Sequence, residues 1–217
     1  RRRLGGIGPG AAGGSTQASL LAPCGGQILH LSVAATTALT ALLAAGGGLG
    51  LLVAARWLGR GGDPFRVSAV GVGIGILAFS AVVFAAPLAS ADLFAAGVSL
   101  IGLGGGLFAH GTLTASMNRA GPEDTGLALG AWGAVQATAA GLSIAASGLV
   151  RDVGGAIAQS GVLGEGMNEP AIGYLIVYHI EIALLFAALL ALGPLVREDA
   201  RTEDRNRIAD GLAGRTA

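Results

Sequence analysis

His179 and Glu181 stand two places apart inside an otherwise apolar stretch, Ile172 to Leu195. In a helix starting near Ile172 they lie about 10–14 Å along its axis, at 1.5 Å per residue. Ionisable side chains at such a depth in a membrane are costly and mark functional positions. A neutral imidazole is a good metal ligand, and a carboxyl can hydrogen-bond a ligand or pair with another helix. Each can also be spent on an interhelical hydrogen bond, so both readings stay open. About 200° of rotation separates the two side chains. Tyr174, Tyr178 and Glu181 share one face, while Leu175, His179, Ile182 and Phe186 share another. Tyr174 itself reads as a residue of the interfacial aromatic belt.

A second set lies upstream. Gly102, Gly106, His110, Thr114 and Asn118 recur every four residues along one face. The glycines admit a neighbouring helix or a flat ring, and His110 closes that groove as a ligand or as a satisfied buried histidine. Gly126, Gly130, Ala134, Ala137 and Gly141 form a stripe of small residues, most simply a helix-packing surface. Trp132 and Gln136 lie four apart on a neighbouring face; the Gln136 amide needs a partner in the membrane, either substrate or another helix. Thr36, Thr37 and Thr40 can bond carbonyls of their own helix. Asp92 reads as an N-cap.

These residues must be held by membrane-spanning helices. No charge interrupts Leu4 to Ala55, Val67 to Ala91, Leu93 to Asn118 or Thr125 to Val150, and a span needs about 20 mostly apolar residues. The expected spans are 31–55, 67–88, 93–117, 126–150 and 172–195, giving an all-α integral membrane bundle over 27–196. Composition agrees: of 217 residues, 53% are hydrophobic and 12% charged, against about 25% charged in ordinary soluble domains. Mean hydropathy is +0.69. Thirteen Arg balance thirteen Asp plus Glu, so no basic excess is available to hold nucleic acid. The single Cys24 forms neither an internal disulfide nor a cysteine zinc site. Phosphate-binding, zinc-protease and nucleophile-elbow motifs are missing, so the sequence points away from an enzyme.

Orientation follows the arginines. Arg56, Arg60 and Arg66, then Arg119, then Arg197, Arg201, Arg205, Arg207 and Arg215 fall on one side of five crossings. The opposite side has the turn near Pro87 to Asp92 and a loop 151–171 with Arg151. The positive-inside rule places the first set, including the charged tail 197–217, in the cytoplasm. The tail reads as a solvated or interfacial helix. Arg1 to Arg3 fall on the wrong side, and 1–26 is Gly- and Pro-rich. The expectation is a piece of a longer protein with a truncated or degenerate helix upstream.

Several runs carry a family resemblance. Gly25-Gly26-Gln27-Ile28 leads into Leu31-Ser32-Val33-Ala34-Ala35-Thr36-Thr37. Gly102-Leu103-Gly104-Gly105-Gly106-Leu107-Phe108 follows, then Gly111-Thr112-Leu113-Thr114-Ala115. The most specific run is Gly126-Leu127-Ala128-Leu129-Gly130-Ala131-Trp132-Gly133-Ala134-Val135-Gln136, continuing to Gly141. Across about 22–197 the chain resembles the PucC/LhaA family of the major facilitator superfamily. Arg56-Trp57-Leu58-Gly59-Arg60-Gly61-Gly62-Asp63-Pro64 is a loose version of that superfamily's loop between paired helices. Ala22-Pro23-Cys24 departs from the family's usual Glu-Pro-Tyr.

The resemblance implies most of the C-terminal six-helix half of a major facilitator fold, in the bacterial intracytoplasmic photosynthetic membrane. It implies assembly of light-harvesting complexes, contact with light-harvesting polypeptides and with the N-terminal half of the fold, and handling of bacteriochlorophyll. The protein alone offers no metal site; His179 or His110 would ligate the pigment magnesium, and Glu181, Gln136 and Trp132 would line its surroundings. Two other readings compete: a secondary transporter, whose site would lie between repeats near the midplane, and a structural half-bundle lodged against a photosynthetic complex.

Overall fold

The computed structural model describes residues 32–121, 123–160 and 171–213, with Leu21 and Gly26 besides. Among these residues the chain is all-helical: α1 (Val33–Leu58), α2 (Pro64–Ala85), α3 (Ala91–Met117), α4 (Thr125–Gln159) and α5 (Ala171–Ala213). All five are long and apolar enough to cross a membrane, α5 through Gly173–Val196. The protein is a multi-pass membrane protein. The expectations for 1–20 and 214–217 lie outside the described residues.

Local chemistry sets the helix starts. The Ser32 hydroxyl accepts the Ala35 N–H at 3.2 Å. Asp63 accepts the Phe65 N–H at 2.8 Å and Pro64 takes the first helical position, where its missing N–H costs nothing. That pair starts α2 ahead of the expected residue 67. Ser90, not Asp92, caps α3, accepting from Leu93 N–H at 3.2 Å. Asp92 sits in the first turn instead, where its charge meets the positive end of the helix dipole. The segment 151–159, expected as loop, continues α4. Its charged pair is satisfied locally, since Arg151 donates to Asp152 at 2.9 and 2.6 Å. The helix of α5 likewise runs on through Pro194 to Ala213.

Spatial order differs from chain order. α3 lies between α1 and α2, which scarcely touch; α2 also packs on α5, and α5 on α4. Glycine lets α3 approach both neighbours at backbone distance. A Cβ at Gly106 would stand 2.9 Å from Leu51 N, and one at Gly102 2.8 Å from Gly47 N. Towards α2, a Cβ at Gly104 would stand 2.6 Å from the Gly71 carbonyl oxygen, and one at Gly71 2.6 Å from that of Gly104. Gly97 and Gly111 extend this seam at seven-residue spacing, against Val82 and Pro64. Beyond the seam, Phe79, Phe94 and Ile101 are fully buried. Phe79 meets Tyr178 of α5 with ring centroids 6.1 Å apart.

α4 is held differently. Near its start, the Trp132 indole N–H donates to Thr112 Oγ1 of α3 at 3.2 Å. Near its end, a Cβ at Gly173 would lie 2.6 Å from the Arg151 carbonyl oxygen, so α4 and α5 meet backbone to backbone there. Positions 132 and 151 are about 28 Å apart along a straight helix. Between these ties α4 is little buried, Ser147 being the one fully buried residue from 133 to 150. At one end of the bundle the Arg119 guanidinium lies 4.6 Å over the Phe65 ring, bringing the α1–α2 and α3–α4 connections to the same end.

Adjacent glycines should respond oppositely to one methyl group. Gly105 has open space around its Cβ position, so Gly105→Ala should be neutral or stabilise by about 0.5–1 kcal/mol through helix propensity. Gly106→Ala should destabilise by about 1–3 kcal/mol through overpacking. Thermal loss of helical circular dichroism in detergent separates them. A double-mutant cycle on Trp132→Phe and Thr112→Val should show a coupling near 0.6 kcal/mol, the average for interhelical hydrogen bonds in a membrane.

Candidate functional site

Glu181 lies in α5 with 3% of its surface exposed. It lines a cavity of about 370 Å³ between α4 and α5, together with Leu142, Ser143, Ser147, Val177 and Ile180. The cavity occupies the stretch of α4 between its two ties. Gln136 falls on the same α4 stripe, seven residues before Ser143 and eleven before Ser147, and is half-buried. Helical spacing therefore aligns an amide and two hydroxyls on the side of α4 that faces the Glu181 carboxyl. Ser147 Oγ donates to the Ile144 carbonyl of its own helix at 3.1 Å. Ser143 and Glu181 also hold interactions within the protein.

His179 lies on the opposite side of α5, exposed. Its Nδ1 is 2.7 Å from the Leu175 carbonyl oxygen. A carbonyl only accepts, so Nδ1 is the donor, and in the neutral ring Nε2 presents a lone pair. This is the arrangement in which a backbone carbonyl orients a metal-ligating histidine. Around it the α5 surface is apolar: Ile176, Ile180 and Phe186 are 38%, 43% and 51% exposed. The expected separation of His179 from Glu181 is present, one ring facing outward and one carboxyl inward.

The other expected residues do not join them. His110 is half-buried in α3, and its carbonyl accepts the Thr114 hydroxyl at 2.8 Å. Gly102 and Gly106, on the same face, are filled by α1 and leave no slot for a ring. Trp132 ties helices rather than lining the cavity. Gly126, Gly130 and Gly141 have nothing within 4 Å of their Cβ positions, so that stripe does not pack on another described helix of this chain. The reason is the sparse contact of α4 with its neighbours, which leaves its small-residue side outward. Tyr174 is not a belt residue: it is buried at 3% exposure, with the Arg151 guanidinium 5.8 Å from its ring. Ser143 and Ser147 escaped the sequence reading, although their spacing from Gln136 was a usable signal. Among the described residues no group of three His, Cys, Asp or Glu comes together.

Comparison with known proteins adds the family. The family model described as "PUCC protein" matches residues 2–200. Protein PucC of Cereibacter sphaeroides is 44% identical over 191 residues, 88% of this chain and 40% of the relative. Protein PucC of Rhodobacter capsulatus is 48% identical over 185 residues, 84% of this chain and 39% of the relative. Protein PucC of Rhodovulum sulfidophilum is 50% identical over 152 residues, 70% and 34% of the two chains. The chain thus spans about two-fifths of the length of the first of these relatives. No solved structure matches it. The chain belongs to the PUCC protein family.

Proposed function

We propose that this family member is a membrane factor in the biogenesis of bacterial light-harvesting complexes, where it binds and hands on bacteriochlorophyll without catalysing a reaction. Family membership supports the biological setting, an intracytoplasmic photosynthetic membrane with light-harvesting polypeptides as partners. One observation carries the pigment role: the outward Nε2 lone pair of His179, set by the 2.7 Å contact of Nδ1 with the Leu175 carbonyl. A single imidazole suits a metal whose other positions a macrocycle already fills. The apolar residues beside it suit a ring system in the bilayer. Bacteriochlorophyll, when bound, would supply the magnesium and the light-absorbing ring; His179 orients and retains it. His110, half-buried on the α1-facing side of α3, is the weaker ligand on geometric grounds.

The same proposal places the five helices as most of the C-terminal half of a major facilitator fold. The arginines near the α1–α2 and α3–α4 connections then face the cytoplasm with the C-terminus, in keeping with the positive-inside rule. The N-terminal half of that fold is the partner for the exposed side of α4.

The tagged chain and a longer PucC relative, each purified in mild detergent from a phototrophic host, should carry bacteriochlorophyll by absorption and light-harvesting subunits by mass spectrometry. His179→Leu should reduce bound pigment by about tenfold or more, the scale of losing a group that governs metal affinity. His110→Leu should change it much less. Colourless, partnerless preparations of both proteins would overturn the reading.

A further inference from the structure

The neighbour of His179 on the outer side of α5 is α2, and the way these two helices meet fixes what stands beside the imidazole. Phe79 of α2 packs on Tyr178 of α5, and a Cβ at Gly75 would stand 3.3 Å from Leu185 Cδ1. Four residues back on α2 thus correspond to seven forward on α5, so the two run antiparallel. Each residue turns a helix by about 100°. Around α5, Val177 lines the cavity shared with α4, Tyr178 faces α2, and His179 comes next, exposed. Around α2, Ala78 abuts Gly97 of α3, Phe79 faces α5, and Ser80 comes next. Phe84, four residues after Ser80, shares that flank and is 60% exposed. α3 and α4 lie on the inner side of this pair, joined by the Trp132–Thr112 hydrogen bond, so the flanks of His179 and Phe84 adjoin on the outer side. Counted from the Phe79–Tyr178 contact, Phe84 is level with position 173, six residues and about 9 Å from His179 along the axis. Helical side chains lean towards their own N-terminus, and between antiparallel helices that closes the gap. His179 leans back to the Leu175 carbonyl, and Phe84 leans the other way.

We propose that Phe84 is the second half of the His179 site: α5 supplies the axial nitrogen, and α2 supplies an aromatic face on which the macrocycle rests. The inference rests on the pigment role proposed for His179. A ring ligated at its centre extends beyond the helix that carries the ligand, and on this side the neighbouring helix is α2. One axial bond holds the metal but leaves the ring free to turn about it; a contact on a second helix fixes its orientation. A phenyl ring offers a flat face to a flat ligand, and such contacts add about two- to tenfold in affinity beyond the burial of apolar area. Ser80, on the same flank, donates its hydroxyl to the Ile76 carbonyl at 2.8 Å, so it leaves no stray donor beneath the ring. Phe186 is also exposed, at 51%, but lies seven residues, about 10 Å, further along α5. It leans the same way as His179 and keeps that distance, so Phe84 is the nearer aromatic.

The test is titration of bacteriochlorophyll into the full chain in nanodiscs, read by absorption and by the circular dichroism induced in the pigment bands. Phe84→Leu keeps an apolar side chain at an exposed position, so helical circular dichroism should be unchanged. It should weaken pigment binding by about two- to tenfold and reduce the induced signal. Phe84→Trp, which keeps a flat ring, should restore both. Phe186→Leu should change neither. The magnesium-free macrocycle separates the two contributions: its binding should ignore His179→Leu and still be weakened by Phe84→Leu. Equal losses from Phe84→Leu and Phe186→Leu would overturn the proposal, since exposed apolar area alone would account for them. So would loss of co-purifying light-harvesting subunits from Phe84→Leu with pigment binding intact, which would make Phe84 a contact for a partner helix. Pigment binding lost with His179→Leu but kept with Phe84→Leu would overturn this proposal alone. Pigment binding that ignores His179→Leu would overturn the His179 reading and this proposal with it.

Discussion

Backbone contact between helices is the constraint on which the rest of the bundle depends. In a bilayer, helices gain nothing from hiding apolar side chains from lipid, so association rests on close packing and interhelical hydrogen bonds. α3 meets that demand twice. Gly102 and Gly106 bring it onto α1, and Gly97, Gly104 and Gly111 bring it onto α2. The second set is offset from the first by two residues, about 200° of rotation, which puts the two seams on different sides of one helix. A helix with glycine on two sides can occupy the centre between two partners, which is why α1 and α2, consecutive in the chain, are separated in space.

The same environment dictates where polar atoms go. The hydroxyls of Thr36, Thr37, Ser68, Ser80, Ser99, Thr112, Thr114 and Ser116 donate to carbonyls three or four residues back, at 2.8–2.9 Å. They need no partner from another element. Imidazole and carboxyl cannot be disposed of so simply. The His179 ring uses one nitrogen on its own helix and keeps the other outward. The Glu181 carboxyl turns inward to the cavity. The helical period makes this division unavoidable for residues two apart, so α5 presents one chemistry to each side.

Much of this was legible beforehand, for identifiable reasons. Charge-free runs reveal spans because hydrocarbon excludes charge, and the five helices lie where those runs lie. Pro64 after Asp63 marks a start that a charge count misses, since Arg66 lies inside the first turn of α2. Arg151 and Asp152 suggested a loop, yet they pair and remain helical. Small-residue stripes were the least informative signal. Gly102 and Gly126 belong to similar four-residue patterns, but one is filled by α1 and the other faces open space. A glycine records that a close approach is permitted, not that a partner arrives. The cavity was half legible: Glu181 stood out as a costly residue, whereas Ser143 and Ser147 look like ordinary helix serines until α5 is placed opposite.

The bundle therefore divides into a rigid part and a lightly held part, and the candidate functional residues fall in the second. α1, α3 and α2 are joined by backbone contacts that tolerate no intermediate spacing, because carbonyl oxygen against glycine has no soft side chain to compress. α4 and α5 are joined by one such contact, at Gly173, and α4 meets α3 through the Trp132–Thr112 hydrogen bond. An interhelical hydrogen bond in a membrane is worth about 0.6 kcal/mol on average, close to thermal energy, so the tie between α4 and α3 is a weak one. Local stability is lowest where binding elements must move. The cavity lies under the least buried helix, and the Glu181 carboxyl in its wall is carried by α5, the helix that packs against α2.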